Sequence, residues 1–265
     1  MEDYTQIRTF LTSVRAVRQV TPLVRRITFA GGDLGAFRCI APDQFVYLLL
    51  PPPGRTALTV DQGFTWAQYR QMPEPERPVG AYYTVREHRA GAGELDIDVV
   101  LHEPSGHASG WAGRAQPGDP VALWGPRTAY APPADTEWHL LVGDETALPA
   151  IAAILRALPL GMRATAVIEV ANAQEEQPLP TPAEADVRWL HRNDAEAGHI
   201  NLVVEALEDL ALPSGVGYAW GGGEVKMMNL ARRLLRQRGL DRASTSLVGY
   251  WRHPQHADLP DERDI

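Results

Sequence analysis

Hydrophobic periodicity changes near Ala131-Pro132-Pro133-Ala134, and that change limits the possible folds more than any other feature of the chain. Before it, short segments alternate apolar and polar residues with the two-residue period of a half-buried strand; Glu94–Val99 is the clearest and Val24–Phe29 another. Gln44–Leu50, Tyr82–Glu87 and Pro120–Trp124 add short strands between Gly/Pro-rich turns, a spacing that favours a sandwich or barrel. Ala108–Ala115 reads as a helix among them. Pro51–Pro78, rich in Pro and Gly, reads as a surface loop with little regular structure.

After the linker, strands at Trp138–Val142, Met162–Val170, Val187–His191, Val216–Trp220 and Thr245–Tyr250 alternate with helices at Thr146–Leu158, Ile200–Leu210 and Glu224–Arg238. That order predicts a doubly wound, mostly parallel α/β sheet. Two domains are expected, residues 1–133 and 134–265.

Composition removes several kinds of chemistry. Cys39 is the single cysteine, so no intrachain disulfide forms, a reducing cytoplasmic location is expected, and the thiolate set of an iron–sulfur cluster is missing. The eight histidines show no zinc-ligand spacing, and His253 and His256 read as part of a solvated tail. A formal charge of −8 argues against nucleic acid as a partner. No apolar run is long enough to span a membrane, and the opening MEDYTQIRTF carries no secretory signal. Redox work by this chain would need an organic cofactor.

Ligands of an open α/β sheet bind outside the carboxyl ends of its strands. Two glycine-bearing turns are expected there, Gly143-Asp144-Glu145-Thr146-Ala147 and Gly221-Gly222-Gly223-Glu224. Either could cradle a phosphate at a helix N-terminus. Asp144 and Glu145 would repel one, and Asp144 or Thr146 capping the helix is an equal reading.

Four segments in order carry more information than these turns: Tyr82-Tyr83-Thr84-Val85-Arg86; Asp96–His102 followed by Gly106-His107-Ala108-Ser109-Gly110-Trp111-Ala112; Gly143–Pro149; and Gly249-Tyr250-Trp251-Arg252. Together they resemble the siderophore-interacting proteins, the ferric-siderophore reductase branch of the ferredoxin–NADP reductase-like superfamily, over roughly Phe10 to His253. The resemblance implies a Greek-key antiparallel β-barrel holding FAD, followed by an NAD(P)H-binding domain. It places Tyr82, Tyr83, Thr84 and Arg86 along the flavin, His102 facing it, and Gly106, His107, Ala108 and Ser109 at its diphosphate. Trp111 is assigned to packing beneath the helix. For the electron donor, NADH or NADPH, it suggests Asp144, Thr146, Ala147, Gly222 and Glu224, with Arg192 at a phosphate or simply on the surface. A ferredoxin is an alternative donor.

The resemblance also implies the substrate, a ferric siderophore. Its basic trio maps to Arg127 and Arg252, while the third position holds Tyr47, for which Arg55 could substitute. Each such cation contributes on the order of 1 kcal/mol toward a unit negative charge at ~6 Å. Where the family has Arg-x-Tyr-Thr this chain has Ala81-Tyr82-Tyr83-Thr84, so a charge-assisted flavin contact of about 1.5–3 kcal/mol is absent and FAD binding is expected to be looser. A general flavin reductase, or a siderophore binder with a weakened flavin site, are the rival readings. A hydrolase is not, for want of a nucleophile turn. A monomer is expected.

Overall fold

The computed structural model describes residues 7–102 and 106–258; the opening residues in which no secretory signal was expected lie outside them, save the last four. The chain divides into two units, Met1–Thr128 and Ala129–Ile265, with the boundary just before the expected linker.

The first unit is a seven-stranded antiparallel sheet. Its strands are β1 (Arg8–Thr21), β2 (Val24–Ala30), β3 (Phe45–Leu50), β4 (Val79–Thr84), β5 (Glu87–Arg89), β6 (Glu94–Val100) and β7 (Pro120–Arg127), in the order β4-β3-β7-β1-β2-β6-β5. The sheet is barrel-like, but no ladder among the described residues closes it. The chain itself makes the turn: past Thr84, the Val85 N–H donates to Gln44 O (2.8 Å) on the β3 side and the Arg86 N–H to Asp96 O (2.8 Å) on the β6 side. One bent segment thus serves both ends of the sheet. Ile27, Phe29, Leu48, Leu95, Ile97 and Leu123 fill the interior.

β1 was not expected. Its first half pairs with β7 and its second with β2, with an irregularity between Val14 and Ala16, so the apolar alternation breaks midway at Arg15 and Arg18. The long Pro51–Pro78 loop corrects another expectation. It contains α1 (Trp66–Gln71) and a 3-10 turn (Glu74–Glu76), with Thr65 capping α1 through the Gln68 N–H. Phe64, Trp66 and Tyr69 pack edge-to-face on one another, and Phe64 and Trp66 also on Trp124, with ring centroids 5.0–6.3 Å apart, a small second core outside the sheet. Edge-to-face packing of such rings is favourable beyond the area it buries. The helix expected at Ala108–Ala115 is α2 (His107–Ala112).

The second unit is a five-stranded parallel sheet of order β10-β9-β8-β11-β12. These strands are β8 (Trp138–Gly143), β9 (Arg163–Val170), β10 (Glu184–His191), β11 (Gly217–Glu224) and β12 (Thr245–Trp251). α3 (Leu148–Ala157) covers one face through Ile151, Ile154 and Leu155 against Leu141, Ile168 and Trp220. α4 (Leu202–Glu208) and α5 (Val225–Gln237) cover the other, on Leu140, Val142, Val167 and Ala219. Helices on both faces are what the strand–helix alternation predicted. Gly221–Gly223 is the end of β11 rather than a turn. Glycine is required where β8 and β11 meet, since a Cβ at Gly143 would lie 2.5 Å from Gly222 O.

Candidate functional site

In the first unit, β4 is an edge strand, hydrogen-bonded to β3 alone among the described residues. Its other flank has no strand partner among the described residues. Tyr82 is half exposed and lies edge-on to Phe45 (5.5 Å) and Tyr47 (4.8 Å). Tyr83 turns inward against the barrel core, where burial pushes its phenol up to about 12, so the hydroxyl stays protonated. Thr84 and Arg86 are buried, and Arg86 Nε sits 3.7 Å from Asp98 Oδ2. Arg86, which could compensate for the arginine missing at position 81, is thus held inside the first unit beside Asp98.

Gly106 starts α2 with no side-chain cap and no acidic residue in the first turn. The buried Ser109 hydroxyl accepts from the His102 N–H (3.2 Å), and a Cβ at Gly106 would lie 3.9 Å from the exposed His102 ring. His107 is exposed and Ala108 packs on the core. Beside them lies a cleft of about 330 Å³ lined by Leu50, Arg55, Val79, His107, Trp111 and Arg114. Arg55, which could substitute for the third substrate cation, lines this cleft. Arg114 was not anticipated; only its place two residues beyond the helix could have signalled it. Two cations, bare helix amides and the open flank of β4 suit a diphosphate joined to a flat ring.

Arg127 ends β7. Its guanidinium lies 4.0 Å from the Trp124 ring centroid and 5.5 Å from that of Tyr82, and it donates to Trp124 O (3.4 Å). Among the described residues it meets no carboxylate, and partial burial holds it below its ordinary value. Tyr47, expected near it, donates to Gly80 O (3.0 Å) and packs on Tyr82 and Trp66.

In the second unit most expected donor-site residues are structural. Asp144 is 3% exposed. Its Oδ1 accepts from Thr146 N–H (2.9 Å) and Thr146 Oγ1–H (2.5 Å); its Oδ2 accepts from Glu224 N–H (3.0 Å) and Trp251 Nε1–H (2.8 Å). It thereby ties together the ends of β8, β11 and β12. Burial, then Glu145, pushes its carboxyl up to about 6 against the pull of these hydrogen bonds. Ala147, fully buried, is the residue that precedes α3, with no side-chain cap there. Gly222 is covered by the Tyr250 ring, which leaves no room for a Cβ (2.8 Å). Glu224 is 2% exposed and caps α5 through the Lys226 and Met227 N–H groups. Arg192 is neither on the surface nor open to a phosphate: both terminal nitrogens bind Glu145 at 2.7 Å. The polar side chains among these residues hydrogen-bond within the unit. Arg252 is exposed and its Nη1 donates to Ala257 O (2.8 Å). His253, read as solvated tail, is buried.

Glu169 adds a buried charge beneath Arg192 (3.4 Å), and its Oε2 has no hydrogen-bond partner among the described residues. Burial, opposed by Arg192 and reinforced by Asp144 and Glu145, pushes its carboxyl up to about 7. A carboxyl raised on folding contributes stability below its ordinary 4.5 and loses it as the pH climbs through about 7. Glu169→Gln should therefore melt higher than wild type at pH 8, by about 1–3 kcal/mol, and show little gain at pH 4. Thermal unfolding at the two pH values checks this; an equal difference at both would refute it.

Comparison with known proteins agrees with this geometry. Residues 13–130 match the siderophore-interacting FAD-binding domain, and residues 136–254 the siderophore-interacting protein domain. The chain belongs to the siderophore-interacting protein family. A siderophore utilization protein from T. fusca is 36% identical, with a TM-score of 0.85 over 97% of both chains. The ferric vibriobactin reductase ViuB of Vibrio cholerae is 27% identical over 248 residues, 91% of this chain and 88% of that protein. The NADPH-dependent ferric-chelate reductase of Escherichia coli is 28% identical over 247 residues, 90% of this chain and 91% of its own. No helix among the described residues is long and apolar enough to cross a membrane.

Proposed function

We propose that this siderophore-interacting protein is an FAD-dependent ferric-siderophore reductase that draws on NAD(P)H and releases Fe(II) from its chelate. One observation carries the reading. Arg127, a cation without a carboxylate partner among the described residues, stacks toward Tyr82 on the strand whose open flank suits a flavin. A site for an anion and a site for the ring thus share a side chain within one unit.

FAD, when bound, takes an electron pair from a nicotinamide and passes electrons singly to iron. The protein's residues supply the rest. Arg55, Arg114 and the α2 amides would hold the diphosphate, which offsets the loss at Ala81. Arg127 in the first unit and Arg252 in the second would each attract an anionic chelate. Each ferric centre takes one electron, so one nicotinamide serves two chelates. Hard oxygen donors hold Fe(II) less strongly than Fe(III), and the metal leaves. We place the protein in the cytoplasm as a monomer, with a ferredoxin as an alternative donor.

Protein purified or reconstituted with FAD should show oxidised flavin bands that bleach with NADPH and return on adding a ferric catecholate. Arg55→Ala and Arg114→Ala should each weaken flavin retention about tenfold. Protein that stays colourless after reconstitution would sink the flavin reading and favour a plain siderophore binder. Flavin that bleaches but ignores the chelate would favour a general flavin reductase.

A further inference from the structure

The second unit holds a group of side chains that the reductase chemistry does not use. Glu196 and His199 lie on the loop between β10 and α4, and His253 just past the end of β12. One ligand atom from each falls within 4.8 Å of the others. Glu196 Oε1 is 3.4 Å from His253 Nε2, and Glu196 Oε2 is 3.7 Å from His199 Nε2. The imidazole rings are 4.7 Å apart.

Bonds of about 2.0–2.2 Å to a tetrahedral cation set its ligand atoms roughly 3.3–3.6 Å apart; the three side chains, whose ligand atoms lie within 4.8 Å and whose short contacts use the two different Glu196 oxygens, would draw together by about an ångström on capture. The surroundings prepare the group. His253 is anchored from within: its side chain is 6% exposed, and its N–H donates to Glu224 Oε1 (3.0 Å). The loop can lie against it because residue 198 is glycine with φ +81°, where a Cβ would stand 3.1 Å from Trp251 and 3.4 Å from His253. His199 and Glu196 remain 38% and 67% exposed, so the outer side is open to water or an exchanging ligand.

We propose that Glu196, His199 and His253 form a binding site for a first-row divalent cation with open coordination positions. Two imidazoles and one carboxylate suit Fe(II), Co(II) and Zn(II), whereas Mg(II) and Ca(II) prefer oxygen ligands alone. Without metal, His253 Nδ1 accepts from the Gln255 N–H (3.2 Å), which leaves the ring proton on Nε2 facing Glu196. Cation capture shifts that proton to Nδ1 and frees the Gln255 amide, a reporter specific to this site. Resting on the reductase reading, the cation met there is the Fe(II) product: Arg252, a candidate contact of the chelate, is the residue next to His253.

The test is anaerobic Co(II) titration of the full-length protein, followed by visible absorbance and by the Gln255 amide resonance. One equivalent should bind, the amide should shift, and the exposed-side variants His199→Ala and Glu196→Gln should each weaken binding at least about tenfold. Absence of saturable binding up to roughly millimolar Co(II), or equal affinity in both variants, would overturn the site. A second arm follows release of Fe(II) from a ferric chelate to a coloured Fe(II) chelator, with a lag of about one equivalent expected in wild type alone. Co(II) binding without any chelate reduction removes the reductase reading and leaves the site standing. Reduction without Co(II) binding does the reverse.

Discussion

Asp144→Ala should lower the melting temperature of the second unit by about 10–15 °C. The substitution deletes an acceptor of four hydrogen bonds, from the Thr146 N–H and hydroxyl, the Glu224 N–H and the Trp251 indole. The Glu224 N–H is buried, and an abandoned donor of that kind costs about 1–3 kcal/mol. With the indole and the Asp144 turn added, the loss reaches about 3–5 kcal/mol, and about 3–4 °C per kcal/mol is expected for a unit of this size. Asp144→Asn keeps an acceptor toward one pair of donors and turns an amide NH₂ toward the other, so it should fall between alanine and wild type. Flavin content should not change, because none of these partners lies in the first unit. A melting temperature within about 2 °C of wild type for the alanine variant would show that the three strand ends are held by something else.

The double variant Arg127→Ala/Arg252→Ala should bind a ferric tris-catecholate about thirtyfold more weakly, with flavin content preserved. If both contact the chelate, as proposed, each cation is expected to contribute on the order of 1 kcal/mol, and about 2 kcal/mol together corresponds to that factor. Arg127 should carry the larger share. Its partial burial on Trp124 removes water from the guanidinium, whereas Arg252 is exposed and screened. Arg127→Lys should recover only part of the loss, since an ammonium does not stack on the indole as a planar guanidinium does. The gap between wild type and the double variant should narrow in 0.5 M salt. Quenching of tryptophan fluorescence by the chelate measures all of these. Equal affinity in the double variant would remove both arginines from substrate binding.

Much of the architecture could be read from periodicity, and the residues show where that reading stops. Glu94–Val99 alternates because one face meets the barrel core, and helices separate β8 from β9, β10 from β11 and β11 from β12 because parallel neighbours need a crossover; β9 and β10 are joined with only a 3-10 turn, Ala173–Glu175, between them. β1 escaped because it pairs with two different strands and the irregularity after Val14 shifts its alternation by one residue, so Phe10, Val14 and Val17 meet the same core out of a two-residue period. α1 escaped because its aromatic residues pack on one another and on Trp124, a contact more than fifty residues distant that no local pattern reports. The flavin segment near Gly106 was legible as a bare helix start with no acid in its first turn. The donor residues were not: Glycine and acid at a strand end suggest a phosphate cradle, yet Asp144 and Glu224 turn inward to bind Trp251, His253 and His256, far along the chain. His253 failed for the same reason, since its burial depends on Gly198 and Glu224 rather than on its polar neighbours in sequence.

The open flank of β4 has a consequence for handling the flavin-free protein. A free strand edge over Val79–Thr84, with no lysine or proline within it, is a template onto which another copy can add its own strand. Flavin seated there would act as a cover as well as an electron carrier, and flavin-stripped protein should form soluble aggregates that excess FAD disperses.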